Sequence, residues 1–134
     1  MSLPLFAVQT TADSLYVVQD YKRAAAEYQA QLSEGGISDE LFYNIGNCYF
    51  RMNQYPQAIL NYQKALKINP GYVYVLNNYA YYLSMNGKKL KKAYAMSKRT
   101  IEAEPDNPTY LDTFGWILYL QGKALEAKPF FKHA

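Results

Sequence analysis

Between residues 39 and 72, apolar residues recur at spacings of three and four in two consecutive segments. Such spacing places the apolar side chains of each segment on one face of an α-helix. A short polar pair, Asn53 and Gln54, separates the segments, and Pro70 ends the second one. The pattern therefore predicts a helix–turn–helix hairpin. Its apolar positions are Phe42, Ile45, Tyr49 and Phe50 in the first helix and Ala58, Ile59, Tyr62, Ala65 and Leu66 in the second.

Small residues mark the points where the two helices of a hairpin have to approach closely. Gly46 and Ala58 are such a pair, and the same spacing recurs between residues 12 and 24 and between residues 115 and 127. The step from residue 80 to residue 93 is one residue longer, and the extra residue falls in a polar turn, where an insertion costs little. The 134 residues are thus close to four repeats of about 34 residues. The predicted repeats cover about 5–38, 39–72, 73–107 and 108–134.

The second hairpin carries a pattern that resembles the tetratricopeptide repeat (TPR). It reads Phe42-x2-Ile45-Gly46-x2-Tyr49, then Ala58-x3-Tyr62, then Pro70. The resemblance implies an all-α fold, a right-handed α-solenoid of four helical hairpins, which we expect to form a single domain over residues 1–134. It also implies a binding protein, not an enzyme, with no catalytic residue, metal or cofactor.

The two halves of the chain resemble different bacterial members of this family. Residues 12–71 are similar to the repeat protein encoded with the bacterial aerotolerance (Bat) proteins. Residues 73–134 are similar to the C-terminal repeats of other bacterial members. Two interpretations stay open at this point: a chimeric or engineered joint near Gly71 and Tyr72, or one natural protein with divergent repeats.

In this family, the first helix of each hairpin lines a concave groove that binds a peptide or protein segment. Positions 2, 5, 9, 12 and 13 of these helices face the ligand, and Asn, Arg and Asp beside aromatic rings suit a peptide. We therefore expect partly exposed side chains on one concave side. The predicted groove residues are Tyr43, Asn47, Phe50, Arg51, Tyr74, Asn77, Tyr81, Asp112, Trp116 and Tyr119.

Charge and reactive side chains change this interpretation little. The net charge of +3 is too small to require a nucleic-acid partner. The basic run Lys88–Lys92 is either a solvated turn or a contact for an anionic partner. Cys48 is the only cysteine and His133 the only histidine, so neither a disulfide nor a recognisable catalytic set exists within the chain. We predict Cys48 to be buried as a small apolar residue.

The two ends leave further alternatives open. Residues 3–7 look like the tail of a signal peptide, which would indicate an exported or periplasmic parent protein, or they form an ordinary apolar first turn. No stretch is long and apolar enough to span a membrane. A repeat solenoid normally ends in a capping helix, and none is predicted before Ala134. Either the chain is part of something longer, or its exposed end self-associates, as a homo-oligomer would require.

Local signals predict where several helices begin and end. Asp20 can cap the start of the second helix, and Pro56 falls near the start of the fourth. Asn53, Gly87 and Gly122 are predicted to adopt the left-handed conformation that follows a helix. Pro129, about six residues into the last helix, should remove one hydrogen bond and bend that helix.

Overall fold

The computed structural model describes residues 11–85 and 87–131, and in these ranges the chain is helical without strands. The predicted all-α architecture and its four hairpins are confirmed. Part of the first predicted repeat, residues 5–10, lies outside the described residues. The helices are α1 Thr11–Val17, α2 Tyr21–Ser33, α3 Asp39–Arg51, α4 Tyr55–Ile68, α5 Val73–Met85, α6 Leu90–Ala103, α7 Pro108–Leu120 and α8 Ala124–Ala127, and a 3₁₀ turn covers Lys128–Phe131.

The chain divides into two compact units, Met1–Pro70 (unit 1) and Gly71–Ala134 (unit 2). In unit 1, α1 packs against α2, α2 against α3 and α3 against α4. In unit 2, α5 packs against both α6 and α7, α6 packs against α7, and α7 packs against α8 and the 3₁₀ turn. The right-handed solenoid and the single domain stay predictions.

The core of unit 1 is built around small residues and two buried tyrosines. Cys48 and Ala58 are fully buried, as is Tyr62, whereas Tyr28 is 1% exposed. A Cβ atom added to Gly46 would lie 2.7 Å from the ring of Tyr62. The close approach of α3 and α4 therefore depends on glycine at this position, and the predicted burial of Gly46, Ala58 and Cys48 is confirmed.

The core of unit 2 also contains a glycine at a close contact with an aromatic residue, although the surrounding side chains differ. Phe114 packs against the rings of Tyr94 and Phe130 at centroid distances of 5.2 and 4.9 Å. A Cβ atom on Gly115 would lie 2.8 Å from the Cβ atom of Phe130. Gly115 is buried and Ala127 is 1% exposed, so both predictions of buried small residues are confirmed here as well.

The predictions about where helices begin and end are also confirmed. The Asp20 carboxylate accepts a hydrogen bond from the Arg23 backbone N–H at 3.3 Å, and Pro56 lies in the first turn of α4. Asn53, Gly87 and Gly122 have φ angles of 59°, 69° and 82°. The equivalent position of the first hairpin is occupied by Gln19, with φ of 67°, a conformation that was not predicted. Glutamine gives no signal for a left-handed conformation, because only Gly, Asn and Asp favour it.

The last helix is shorter than the sequence predicts. α8 ends at Ala127, and the chain continues as a 3₁₀ turn over Lys128–Phe131 that contains Pro129. The sequence predicts that Pro129 bends a longer helix. In the structure, the α-helix instead ends before Pro129 and is followed by the 3₁₀ turn. A proline cannot donate the backbone hydrogen bond that an α-helix needs here, and the tighter turn adapts to that loss.

Candidate functional site

Four of the predicted groove residues form an exposed aromatic surface in unit 2. Tyr74 and Tyr81 on α5 are 43% and 46% exposed. Trp116 and Tyr119 on α7 are 42% and 53% exposed, and their rings stack at 5.6 Å with an interplanar angle of 15°. Because α5 and α7 pack against each other, these rings lie on neighbouring helices of one unit. We call the four residues the aromatic face.

Helical geometry explains why these side chains are exposed. α5 is buried on most sides, and its exposed residues are Tyr74, Tyr81 and Met85. Residues spaced by seven and by four lie within a narrow stripe of a helix. Thr109, Asp112, Trp116 and Tyr119 form the corresponding exposed stripe of α7. Large rings on both stripes therefore face solvent together with an aspartate.

Three predicted groove residues are buried instead of exposed. Tyr43, Asn47 and Asn77 are 7%, 6% and 8% exposed, so the expectation of partial exposure is wrong for them. The ring of Tyr43 packs against that of Tyr62 at 6.4 Å. Asn77 is buried on α5, four residues before the exposed Tyr81, and its side-chain oxygen has no hydrogen-bond partner among the described residues.

Asn47 is buried because it belongs to a polar pair that recurs in unit 1. Its side-chain oxygen accepts a hydrogen bond from the Tyr62 hydroxyl at 2.6 Å. In the first hairpin, Tyr28 donates in the same way to the carboxylate of Asp13. In both pairs the acceptor directly follows the small residue of the first helix, and the tyrosine lies 15 residues further along. Each hydroxyl satisfies a polar atom that would otherwise be costly to bury.

In unit 2 the same repeat positions carry residues that cannot form this pair. Tyr81 and Trp116 replace the acceptors, whereas Ser97 and Phe131 replace the tyrosines. The Ser97 hydroxyl is buried and has no hydrogen-bond partner among the described residues. A bulky ring therefore takes the place of a small buried acceptor, and it remains at the surface. This exchange was visible in the sequence, as a change from Asp and Asn to aromatic residues at one repeat position.

The remaining predicted groove residues, Phe50, Arg51 and Asp112, belong neither to the aromatic face nor to the buried set. Phe50 is half-buried and packs edge-on against Tyr55 at 5.3 Å. Arg51 is exposed, and a hydrogen bond to the Tyr16 hydroxyl raises the pKa of its guanidinium. Burial raises the pKa of Tyr16, although Arg51 acts in the opposite direction. Arg51 therefore links α3 to α1, whereas Asp112 is the only charged residue in the sequences of α5 and α7.

An open cleft in unit 1 was not predicted. It has a volume of about 390 Å³. Gln29 donates a hydrogen bond from its amide to the Tyr49 hydroxyl at 2.9 Å and so links two of its walls. The lining combines one cation with amides and small apolar groups: Lys22, Ala25, Ala26, Gln29, Tyr49, Met52 and Gln54. No sequence pattern marks it, because its residues come from α2, from α3 and from the turn after α3.

The described residues contain neither a cluster of metal ligands nor a membrane-spanning helix. Within 11–85 and 87–131, no three His, Cys, Asp or Glu side chains come together as metal ligands would. None of the helices in these ranges combines the length and the apolar character needed to cross a bilayer.

Comparisons with known proteins agree with this architecture. Two family models described as tetratricopeptide repeat match residues 40–72 and 61–94. A crystal structure of MamA superposes with a TM-score of 0.79 at 20% identity and covers 91% of this chain and 66% of MamA. A crystal structure of YrrB, described as a TPR protein with an unusual peptide-binding site, gives a TM-score of 0.75 at 19% identity, with 89% and 61% coverage. At these identities the likeness concerns the fold.

Curated relatives share part of the sequence. The BBSome complex member BBS4 from Bos taurus and the one from Mus musculus are each 28% identical to this chain over 115 residues, which is 85% of the chain. The match spans 21% of the length of each relative. The finer resemblance to aerotolerance-associated and other bacterial repeat proteins, and the question of a chimera, stay predictions.

Proposed function

Because the chain is a tetratricopeptide-repeat protein, we propose that it is a protein-interaction scaffold that binds a peptide or protein segment in a concave groove. The aromatic face of unit 2 carries this proposal. Tyrosine and tryptophan offer a large contact area at a low cost in side-chain entropy, and they dominate the binding energy of many interfaces. Four such rings, each more than 40% exposed on two adjoining helices, supply exposed aromatic area of that kind, which supports the proposal.

The charge around the aromatic face narrows the type of ligand. α5 has no charged residue, and α7 has only Asp112, one helical turn before Trp116. A segment with apolar side chains and a lysine or arginine would gain contacts with the faces of the exposed rings. A peptide-binding site is also stated for YrrB, whose fold this chain shares. The proposal assigns no role to the buried residues Tyr43, Asn47 and Asn77.

Selection from a displayed random-peptide library tests this function with the full chain. Peptides selected on the unmodified protein should lose binding when Trp116 or Tyr81 is replaced by alanine. Truncation of a central aromatic residue typically costs about 2 kcal/mol or more, which is a factor of about 30 in Kd. Leu60→Ala serves as the control, because Leu60 is an apolar residue of unit 1 that is 51% exposed. Equal losses in all three variants would rule out the aromatic face as the site.

Self-association is the second candidate function, and exposed apolar side chains near the end of the described chain favour it. Leu125 on α8 is 87% exposed, and Phe131 in the 3₁₀ turn is 48% exposed. A second copy of the chain could cover both side chains. Sedimentation of the full chain should then detect a dimer that Leu125→Ser weakens. A monomer at every tested concentration would refute this function and would leave peptide binding unaffected.

A further inference from the structure

A second surface of unit 2 differs from the aromatic face in both its helix and its charge. Six cations occur between residues 88 and 99, and no aspartate or glutamate occurs from residue 86 until Glu102. Of the six, Lys88 and Lys89 directly precede α6, whereas the other four lie on the exposed side of that helix. We call Lys88, Lys89, Lys91, Lys92, Lys98 and Arg99 the basic face.

The helix arranges four of these cations in two parallel rows. Lys91 and Lys98 are seven residues apart, as are Lys92 and Arg99. Seven residues make nearly two turns, so each row lies on one side of α6 and spans about 10 Å. The opposite side of α6 carries Ala93, Ser97 and Thr100, which are buried. α6 is therefore fixed in its rotation, with the rows directed away from the body of the unit.

One cation, Lys92, is held in place, and two others, Lys91 and Lys98, have no carboxylate partner among the described residues. The Lys92 ammonium lies 5.2 Å from the ring centroid of Tyr79 and 3.4 Å from its hydroxyl. Among the described residues, no carboxylate pairs with Lys91 or Lys98. Clustered like charges repel one another, and this cost is relieved when an anionic partner binds. The surface therefore offers fixed positive charge to a negatively charged ligand.

We propose that the basic face binds an acidic polypeptide segment. A membrane-binding helix needs an exposed apolar side, but no large apolar residue among 87–103 is exposed. A single-stranded nucleic acid needs exposed rings for stacking. The ring of α6, Tyr94, instead packs against Phe114 and lies under the ammonium of Lys123. Charge without apolar anchors or rings fits carboxylates best.

The spacing of the rows specifies the ligand further. In an extended polyproline II segment, residues three apart lie on the same side and are separated by about 9 Å, which is close to the distance along each row. Acidic residues at every third position of an extended segment could therefore contact both cations of one row. This proposal is independent of the aromatic face, because the basic face lies on α6 and just before it, whereas the aromatic face lies on α5 and α7.

The test measures binding of the full chain to a labelled ten-residue peptide of glutamate and glycine, with glutamate at every third position. Replacing both Lys91 and Lys98 by glutamine should weaken binding about five- to tenfold, since each exposed ion pair is worth up to about 1 kcal/mol. The control replaces Lys22 and Lys67 of unit 1, which removes the same charge from exposed positions and should change the affinity less than about twofold. Trp116→Ala should leave binding of this peptide unchanged, because it alters only the aromatic face.

Three results would overturn the proposal. Equal weakening by the control pair would mean that only net charge matters. Absence of peptide binding at low ionic strength would mean that the basic face is a solvated surface. Binding to phosphatidylserine vesicles or to an oligothymidine strand that depends on Lys91 and Lys98, in the absence of peptide binding, would assign the surface to a membrane or to a nucleic acid instead.

Discussion

Gly46 leaves no space for a side chain at the contact between α3 and α4. An added Cβ atom would lie 2.7 Å from the Tyr62 ring and 3.2 Å from the Ala58 carbonyl oxygen. The ring cannot move aside easily, because Tyr62 is fully buried and its hydroxyl is bonded to Asn47. A single methyl group at this position is therefore enough to disturb the hairpin.

We expect Gly46→Ala to lower the free energy of unfolding by about 1–2 kcal/mol. Overpacking costs about 1–3 kcal/mol, and the better helix propensity of alanine returns up to about 1 kcal/mol. Urea denaturation followed by circular dichroism measures the difference. Gly71→Ala is the matched control, since no heavy atom lies within 4 Å of a Cβ at that position. An equally stable Gly46→Ala protein would contradict this packing.

The buried thiol of Cys48 makes the free energy of unfolding fall as the pH becomes alkaline. The thiol is fully buried, and burial raises its pKa from 9.0 to about 12. In the unfolded chain the thiol loses its proton above about pH 9, whereas in the folded protein it keeps the proton until about pH 12. Its contribution to stability is therefore complete below pH 9 and declines as the pH rises through this window.

Cys48→Ala should remove this pH dependence. The stability difference between the unmodified protein and the variant should shrink by about 1 kcal/mol per pH unit above pH 9. Urea unfolding of both proteins at pH 7 and pH 10 measures it. Burial is the largest cause of the raised pKa values of Tyr16 and Tyr28 and acts in both proteins, so most of the tyrosine contribution cancels in the comparison. A difference that stays constant between the two pH values would show that the thiol is accessible to water.

At the scale of elements, the four hairpins share one way of ending the first helix. A residue with positive φ follows it each time, at Gln19, Asn53, Gly87 and Gly122. In this conformation the chain reverses direction in a few residues and can begin the second helix. Glycine adopts it without a steric penalty and asparagine at a low one, whereas glutamine is strained there. The first hairpin is therefore closed by a less favourable residue than the other three.

Gln19→Gly should stabilise unit 1 by about 0.5–1 kcal/mol, because the relief of strain exceeds the extra entropy of glycine in the unfolded chain. A higher urea midpoint with an unchanged slope would show it. Asn53→Gly is the control and should have a smaller effect, since asparagine already tolerates positive φ. If Gln19→Gly destabilised the protein, the turn between α1 and α2 would have a different backbone conformation in solution.

At the scale of the whole molecule, the two units use the same repeat position for different purposes. Unit 1 fills it with the buried acceptors Asp13 and Asn47, whereas unit 2 fills it with the exposed rings of Tyr81 and Trp116. One unit thereby gains a satisfied polar contact inside a hairpin, and the other gains a surface suited to a ligand. The proposed binding activity consequently belongs to unit 2.

Trp116 is the only tryptophan, so its fluorescence reports on the aromatic face of the intact chain. With 42% of its surface exposed and one side stacked on Tyr119, we expect acrylamide quenching between that of a buried and that of a fully exposed indole. Tyr119→Ala should increase quenching, and the urea-unfolded chain provides the upper reference. A folded protein that acrylamide cannot quench would place Trp116 in the core and would remove it from the proposed site.

The helices, their pairing into hairpins and the small residues that pack between them follow from the amino-acid pattern alone. Spacings of three and four define which face of a helix is apolar, and Gly46 or Gly115 marks a close approach because no other residue is small enough. These properties depend on local geometry. They could therefore be predicted from one chain, as could the burial of Cys48 and the exposure of Trp116.

Which polar or aromatic residues on the first helices reach the surface depends on the packing between helices. Asn47 and Tyr81 occupy the same repeat position. Asn47 is buried and accepts a hydrogen bond from the hydroxyl of Tyr62 on α4, 15 residues further along the chain. Asn77 is covered although it lies only four residues before the exposed Tyr81. The exposure of a side chain depends on what neighbouring helices place above it. Helical periodicity describes a single helix and carries no information about that neighbour.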